Sequence, residues 1–313
     1  MLNYEKTPKR RHIFQMKRLF SMLLSVSCVS VILLCGCGDS GSSAAPKTFS
    51  DDTKPQSSLS SAAHDTTGTK ARSSTENTEN TENTEATAQG GSFSNENGFI
   101  VYNENGQRAS ITGIDISSYS GEVDWSRVKN AGIDFVMVRL GGRGYGNEGS
   151  LYSDNKAADY ISGAQAAGIK TGGYFFSQAI TEEEAREEAL YCQQVLGGLK
   201  LDFPLAYDWE IIKDDDARTD SLTAEQATSC ALAFCAKAKE LGYKPMLYAS
   251  DEEFSKKYDM SRLSDCDIWY CEYADEPHFS YRFSMWQYSK TASVDGIEGN
   301  VDLDLCFTNI AEY

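Results

Sequence analysis

Histidine is nearly missing from this chain. Only His12, His64 and His278 occur in 313 residues. A Ser-His-Asp triad, a Cys-His peptidase or a His-rich zinc amidase needs imidazole as base or ligand. All three would have to rest on His278, because the other two fall in segments that read as export signal and linker. The nine cysteines show no Cys-x-x-Cys spacing, which argues against a zinc site. Positive charge is also scarce, with 29 Lys+Arg against 46 Asp+Glu and a formal net charge of −17. Phosphate binding needs clustered cations, so nucleic acid is excluded as a partner. No EF-hand pattern is present, and no Gly-rich turn follows the first strand-like run. No metal or cofactor is expected, and no oligomer is implied.

What is present begins with a basic stretch, "KRRHIFQMKR", then the apolar "LFSMLLSVSCVSVILL", then "CGCGDSGSS". That order is an export signal, and the apolar run is short for a permanent span of about 20 residues. "LLCGC" at 33–37 resembles a bacterial lipobox, which implies cleavage before Cys37 and a lipid on its thiol. The expected localisation is exported, either lipid-anchored to the outer face of the cytoplasmic membrane through Cys37 or secreted to the cell wall. Residues 37–95 are Ser, Thr, Asn, Glu and Gly with few large apolar side chains. They read as a disordered tether, since such a segment buries too little to offset its ordering entropy. A coil of roughly 55 residues reaches about 40 Å. Residues 96–111 read as a β-hairpin lead-in turning at Asn105–Gly106. Six cysteines follow the tether (Cys192, Cys230, Cys235, Cys266, Cys271 and Cys306), and their pairing cannot be read from sequence.

From residue 112 a rhythm of strands and helices sets in. Strand-like runs occur at 112–117, 134–140, 170–177, 203–210, 244–249, 266–273, 284–289 and 301–306. Helical patterns ending on Gly separate the early ones, with a shorter fifth at "FSKKYDMSRL". The last three strands follow one another with no room for helices. Five strand–helix units and three further strands predict a closed α/β barrel over 112–313, with an open doubly wound sheet as the alternative.

In such barrels the site lies at the C-terminal ends of the strands. Acids late in strands are Asp115 in "TGIDIS", Asp208 and Glu210 in "FPLAYDWE", and Asp302 and Asp304 in "VDLDLC". Side chains alternate along a strand, so Asp208 and Glu210 share a side while Tyr207 and Trp209 point away to packing. Asp214, Asp215 and Asp216 read as a solvated run. Opposed carboxylates suit glycoside hydrolysis, where one acid protonates the leaving oxygen and another stabilises an oxocarbenium-like transition state. Like charges in a partly dry site push one proton affinity up, which creates the acid. A divalent cation is the competing use of the same groups. Tyr174, Tyr248, Tyr273, Trp286 and Tyr288 also fall late in strands, where they either face a sugar or pack the core.

These segments, from "GIDISSYSGEVDWSRVKNAGIDFVMVRL" through "PLAYDWE", "MWQYS" and "GNVDLDLCF", together resemble glycoside hydrolase family 25, the N-acetylmuramidases. The resemblance covers about residue 111 to the C-terminus. It implies a TIM-like (β/α)5(β)3 barrel and cleavage of peptidoglycan between N-acetylmuramic acid and N-acetylglucosamine. It implies Glu210 as general acid, Asp208 assisting the substrate's 2-acetamido group, and Asp115 and Asp302 as cleft acids. Tyr174 and the Trp286–Gln287–Tyr288 segment match its sugar-contacting positions. Many members carry His after that Tyr, whereas Phe175 stands here. Two other readings stay open: a non-catalytic glycan-binding module on the same barrel, and a secreted hydrolase of another polymer.

Overall fold

The computed structural model describes residues 91–213 and 215–308. The expected signal, the lipobox with Cys37, most of the tether and Asp214 lie outside the described residues. Eight strands close into a barrel: β4 (Ser110–Ile116), β5 (Phe135–Arg143), β7 (Lys170–Phe176), β8 (Leu205–Asp208), β9 (Pro245–Ser250), β10 (Asp267–Cys271), β11 (Met285–Ala292) and β12 (Val301–Phe307). The short β6 (Leu151–Ser153) adds to the edge of β5. Closure is made by β4, which pairs with β5 on one side and β12 on the other. The barrel is mixed. Pairing is parallel from β4 through β11, and β12 runs antiparallel to both of its neighbours.

Helices α1 (Trp125–Asn130), α2 (Ala157–Ala166), α3 (Glu182–Leu196), α4 (Ala224–Glu240) and α5 (Asp251–Lys257) each follow one of the first five barrel strands. Their starts are written in the sequence. Thr181 caps α3 ahead of three glutamates that complement the helix dipole. Thr223 with Gln226, and Ser250 with Glu253, form capping boxes. Gly197 ends α3 in the left-handed conformation at φ 56°.

Strand alternation divides the apolar side chains into two cores. Inside the barrel are Phe135, Met137, Phe203, Met246, Trp269, Met285 and Cys306. Phe135 and Phe203 stack with centroids 4.8 Å apart. Gly113 makes room for this pair, because a Cβ there would sit 2.2 Å from the Phe135 ring. Between strands and helices lie Ile114, Val136, Val138, Phe175, Leu205, Tyr207, Trp209, Leu303 and Leu305. The six cysteines are free thiols, five of them buried.

No helix lies between β10 and β11 or between β11 and β12. An N-terminal sheet covers part of the outer face there: β1 (Gly91–Glu96), β2 (Phe99–Glu104) and β3 (Gln107–Arg108). Phe93 lies 5.5 Å from Trp286, and Tyr102 lies 5.1 Å from Phe307, both edge-on. The Ile100 amide donates to the Tyr288 hydroxyl at 3.3 Å. The expected tether boundary at 95 therefore needs correction, since β1 occupies 91–96 and the lead-in has two turns rather than one. Both turns are Asn-Gly pairs with positive φ, Asn97–Gly98 and Asn105–Gly106. Only Phe93 marks β1 as buried on one face, too weak a pattern to set it apart from the polar stretch before it.

Candidate active site

At the C-terminal ends of the parallel strands a cleft of about 170 Å³ opens, lined by Asp115, Tyr174, Asp208, Glu210, Tyr248, Trp269, Tyr273, Gln287 and Asp302. Each comes from an inward position near a strand end. Asp208 closes β8, and Glu210 follows two residues on in the same phase, exposed at the mouth. Trp209 between them is buried in the outer core. Asp115 of β4 and Asp302 of β12 are direct partners in the antiparallel register, so their side chains rise from one face.

The acids have unusual proton affinities. Burial pushes the Asp208 carboxyl well above the ordinary value, with the charges of Glu210 and Asp115 adding and Arg139 opposing. Burial and then Asp302 raise Asp115 in the same way, against a hydrogen bond from Gln287. Asp302 is pushed up to about 6 by burial, with Lys290 opposing. Asp208 Oδ1 is buried without a hydrogen-bond partner among the described residues. An acceptor left this way is costly unless a ligand supplies the donor.

Gln287 organises the floor. Its Nε2 donates to Asp115 Oδ2 at 2.7 Å. Its Oε1 accepts from Tyr248 at 2.9 Å, from the Cys271 thiol at 3.1 Å and from Tyr273 at 3.2 Å. Tyr174 and Tyr248 pack edge-on against Trp269, at 6.0 and 4.7 Å. Tyr273 is half exposed with the Lys290 ammonium over its ring. An acidic mouth with aromatic walls can bind a sugar face and deliver a proton to a glycosidic oxygen.

Trp286 and Tyr288 are not part of this cleft. Gln287 points inward, so its neighbours on β11 point outward, and both are buried against the N-terminal sheet. Trp286 Nε1 donates to the Glu272 carbonyl at 2.9 Å. The expectation that these two face a sugar is corrected by strand phase alone. Phe175 also points outward, against Tyr191 of α3, so the departure from the family's His does not touch the cleft. Three further residues bear on the cleft, of which only Arg139 went unmarked by the sequence pattern. Trp269 and Asp304 sit at inward positions of β10 and β12. Arg139 is inward on β5, salt-bridged to Asp154 at 2.8 Å. The phase of "DFVMVRL" carries the signal for Arg139. His278 is on an exposed loop beside Glu272.

Comparison with known proteins agrees with this geometry. Residues 114–297 match the family described as glycosyl hydrolases family 25. The chain is similar to the autolytic lysozyme of Clostridium acetobutylicum, 31% identical over 195 residues, covering 62% of this chain and 55% of that one. It is also similar to lysozyme M1 of Streptomyces globisporus, 25% identical over 202 residues, covering 61% of this chain and 66% of that one. The chain thus spans between about half and two thirds of these relatives. In fold it resembles the modular autolysin LytC of Streptococcus pneumoniae, with TM-score 0.56 and 22% identity over 69% of this chain and 52% of that one. It likewise resembles a family 25 glycosyl hydrolase of Bacillus anthracis, with TM-score 0.53 and 21% identity over 63% of this chain and 88% of that one.

Proposed function

Since the chain belongs to glycosyl hydrolases family 25, we propose that it is a lysozyme that cleaves peptidoglycan between N-acetylmuramic acid and N-acetylglucosamine on a (β/α)5(β)3 barrel. The observation that carries this reading is the convergence of Asp115, Asp208, Glu210 and Asp302 on one aromatic-walled cleft. Relatives named as lysozymes support the substrate, as does a LytC structure in complex with a synthetic peptidoglycan ligand.

Glu210 acts as general acid. It stands at the mouth, where a leaving oxygen has access. Asp208 receives the acetamido N–H on its unpartnered Oδ1, which favours the Asp208 anion and aligns the acetamido oxygen toward the anomeric carbon. That anion in turn holds the proton on Glu210 until it passes to the glycosidic oxygen. Asp115 and Asp302 add negative potential beside the developing oxocarbenium charge. The protein is exported, and a diacylglycerol on Cys37 holds it at the membrane, with the polar segment between it and β1 as tether. Mass spectrometry of the membrane fraction should find a mature N-terminus at lipidated Cys37. Purified protein should release reducing sugar from peptidoglycan, and Glu210→Gln should lose this by at least a hundredfold with its circular dichroism unchanged. Full turnover in that variant would overturn the assignment.

A further inference from the structure

Asp304 lies inside the barrel beneath the cleft, wholly buried, two residues after Asp302 and opposite Gly113. Its Oδ1 accepts the indole N–H of Trp269 at 2.8 Å. Its Oδ2 is buried with no donor among the described residues. Asp115, the register partner of Asp302, is the diagonal neighbour of Asp304 on the same inward face, and the two carboxyls influence each other's proton affinity. Two carboxylates are both acceptors, so a dry contact between them is bonded only when one carries a proton. Asp115 reaches the cleft and takes a second donor from Gln287, whereas Asp304 reaches no solvent.

We infer that Asp304 stands as a neutral carboxylic acid whose Oδ2–H donates to Asp115, making it a positioning residue that fixes the Asp115 carboxyl group and favours its ionised form beside Asp302. Asp115 then holds two donors, Gln287 from β11 and Asp304 from β12, which both oppose the burial and the Asp302 charge that raise its proton affinity. The Asp304 hydroxyl adds no charge to the acidic mouth. Burial is the main force keeping the proton on Asp304, reinforced by the charges of Asp115 and Asp302 and opposed by the Trp269 N–H. Cys306 on the same strand and Tyr288 of β11 are the other titratable groups that feel its charge. This network joins four strands through one run of side chains: Trp269 of β10, Asp304 of β12, Asp115 of β4 and Gln287 of β11.

The positioning role rests on the hydrolase reading above, whereas the protonation state does not. Two measurements on the full chain separate them. The first is equilibrium unfolding of the wild type and Asp304→Asn from pH 5 to 7. An aspartate protonated when folded and ionised when unfolded weakens folding as pH rises, by about tenfold in the folding constant per pH unit. The ratio of wild-type to D304N folding constants should therefore fall about tenfold per unit. A flat ratio means an ionised Asp304 and overturns the inference. The second is the pH profile of kcat and KM on peptidoglycan. D304N keeps both a donor for Asp115 and an acceptor for Trp269, so its profile should stay within threefold of wild type. Asp304→Ala removes the donor, so the acidic limb should move up by at least half a pH unit, with kcat lowered and KM within twofold. An unmoved limb in folded D304A, or D304N as impaired as D304A, overturns the positioning role. A wild type without turnover removes the hydrolase reading and the positioning role with it, while the unfolding ratio still decides the protonation state.

Discussion

Asp115 and Asp302 face each other directly across the antiparallel seam between β4 and β12, two carboxyls at one register position where the barrel closes. Like groups opposite each other destabilise a sheet unless one is neutral. The folded-state affinity of Asp302, pushed up to about 6, lies above the ordinary aspartate value. A raised carboxyl contributes its stability fully below the unfolded value and loses it as pH rises through the folded one. Asp302→Asn should thus raise the melting temperature at pH 7, by about 2–4 °C for a gain of about 1 kcal/mol. It should change little at pH 4, where Asp302 is protonated in the wild type. Calorimetry at both values checks this, and an equal change at the two would contradict it.

Gln287 is the second point of control, because one amide serves four partners. Gln287→Leu removes the donor to Asp115 and strands the hydroxyls of Tyr248 and Tyr273. A stranded buried polar group costs about 1–3 kcal/mol. The variant should fold with a lower denaturation midpoint and lose kcat by at least tenfold, as measured by reducing-sugar release. Wild-type kcat in folded Q287L would remove Gln287 from the machinery.

The strand rhythm and the phase of the acids were legible because both depend on local alternation. Each of the eight strand-like runs overlaps a barrel strand, and Asp115, Asp208, Glu210 and Asp302 all point inward. The likeness of the Trp286–Gln287–Tyr288 segment to a sugar-contacting motif misleads, because Gln287 points into the cleft and its two neighbours pack outside the barrel. The partners of Asp304 were hidden for another reason. Trp269 and Asp115 meet it only once β12 closes the barrel, a contact across 35 residues in one case and nearly the whole domain in the other. The N-terminal sheet was half visible, since its role depends on an outer face left bare by missing helices. That is a property of the assembled barrel and not of residues 91–108.

The outward position of Trp286 is testable against the inward one of Trp269. Trp286→Phe should lower stability by about 1–3 kcal/mol through lost packing and the lost bond to the Glu272 carbonyl, with kcat/KM within twofold. Trp269→Phe should also impair turnover, because Asp304 loses its indole donor and Tyr174 and Tyr248 lose part of their common support. Denaturant titration paired with steady-state kinetics separates the two. Equal kinetic damage in both would mean that Trp286 reaches the sugar after all.

Phe93 reports on the covering sheet in the same manner. Its ring lies among Tyr102, Trp286 and Phe307, and it is only partly buried. Phe93→Ala should cost about 1–3 kcal/mol, below the range for a fully buried Phe. Deleting residues 91–108 should cost more and expose Trp286 and Phe307, which increased binding of a hydrophobic dye would register. The cleft is lined by inward residues, so the folded fraction of F93A should keep its kcat/KM. A fall in specific activity beyond the unfolded fraction would tie the sheet to the site.

Asp208 combines an unmet acceptor with a like-charged neighbour, and the two features push its variants in opposite directions. Asp208→Asn keeps the shape and removes the charge that Glu210 and Asp115 oppose. A raised carboxyl loses stability as pH climbs, so D208N should be more stable than the wild type above pH 6 and nearly equal to it below pH 4. Its carboxamide still offers an oxygen to an acetamido N–H, so KM should change less than fivefold. The amide carries no negative charge, however, and can neither strengthen the acetamido oxygen as nucleophile nor hold the proton on Glu210. Losing one such electrostatic contribution in a dry site costs about 10²–10³ in kcat. Stability and turnover measured on the same preparation across pH 4–8 should therefore diverge, the melting temperature rising while kcat collapses. If both fell together, Asp208 would be serving the fold instead of the reaction.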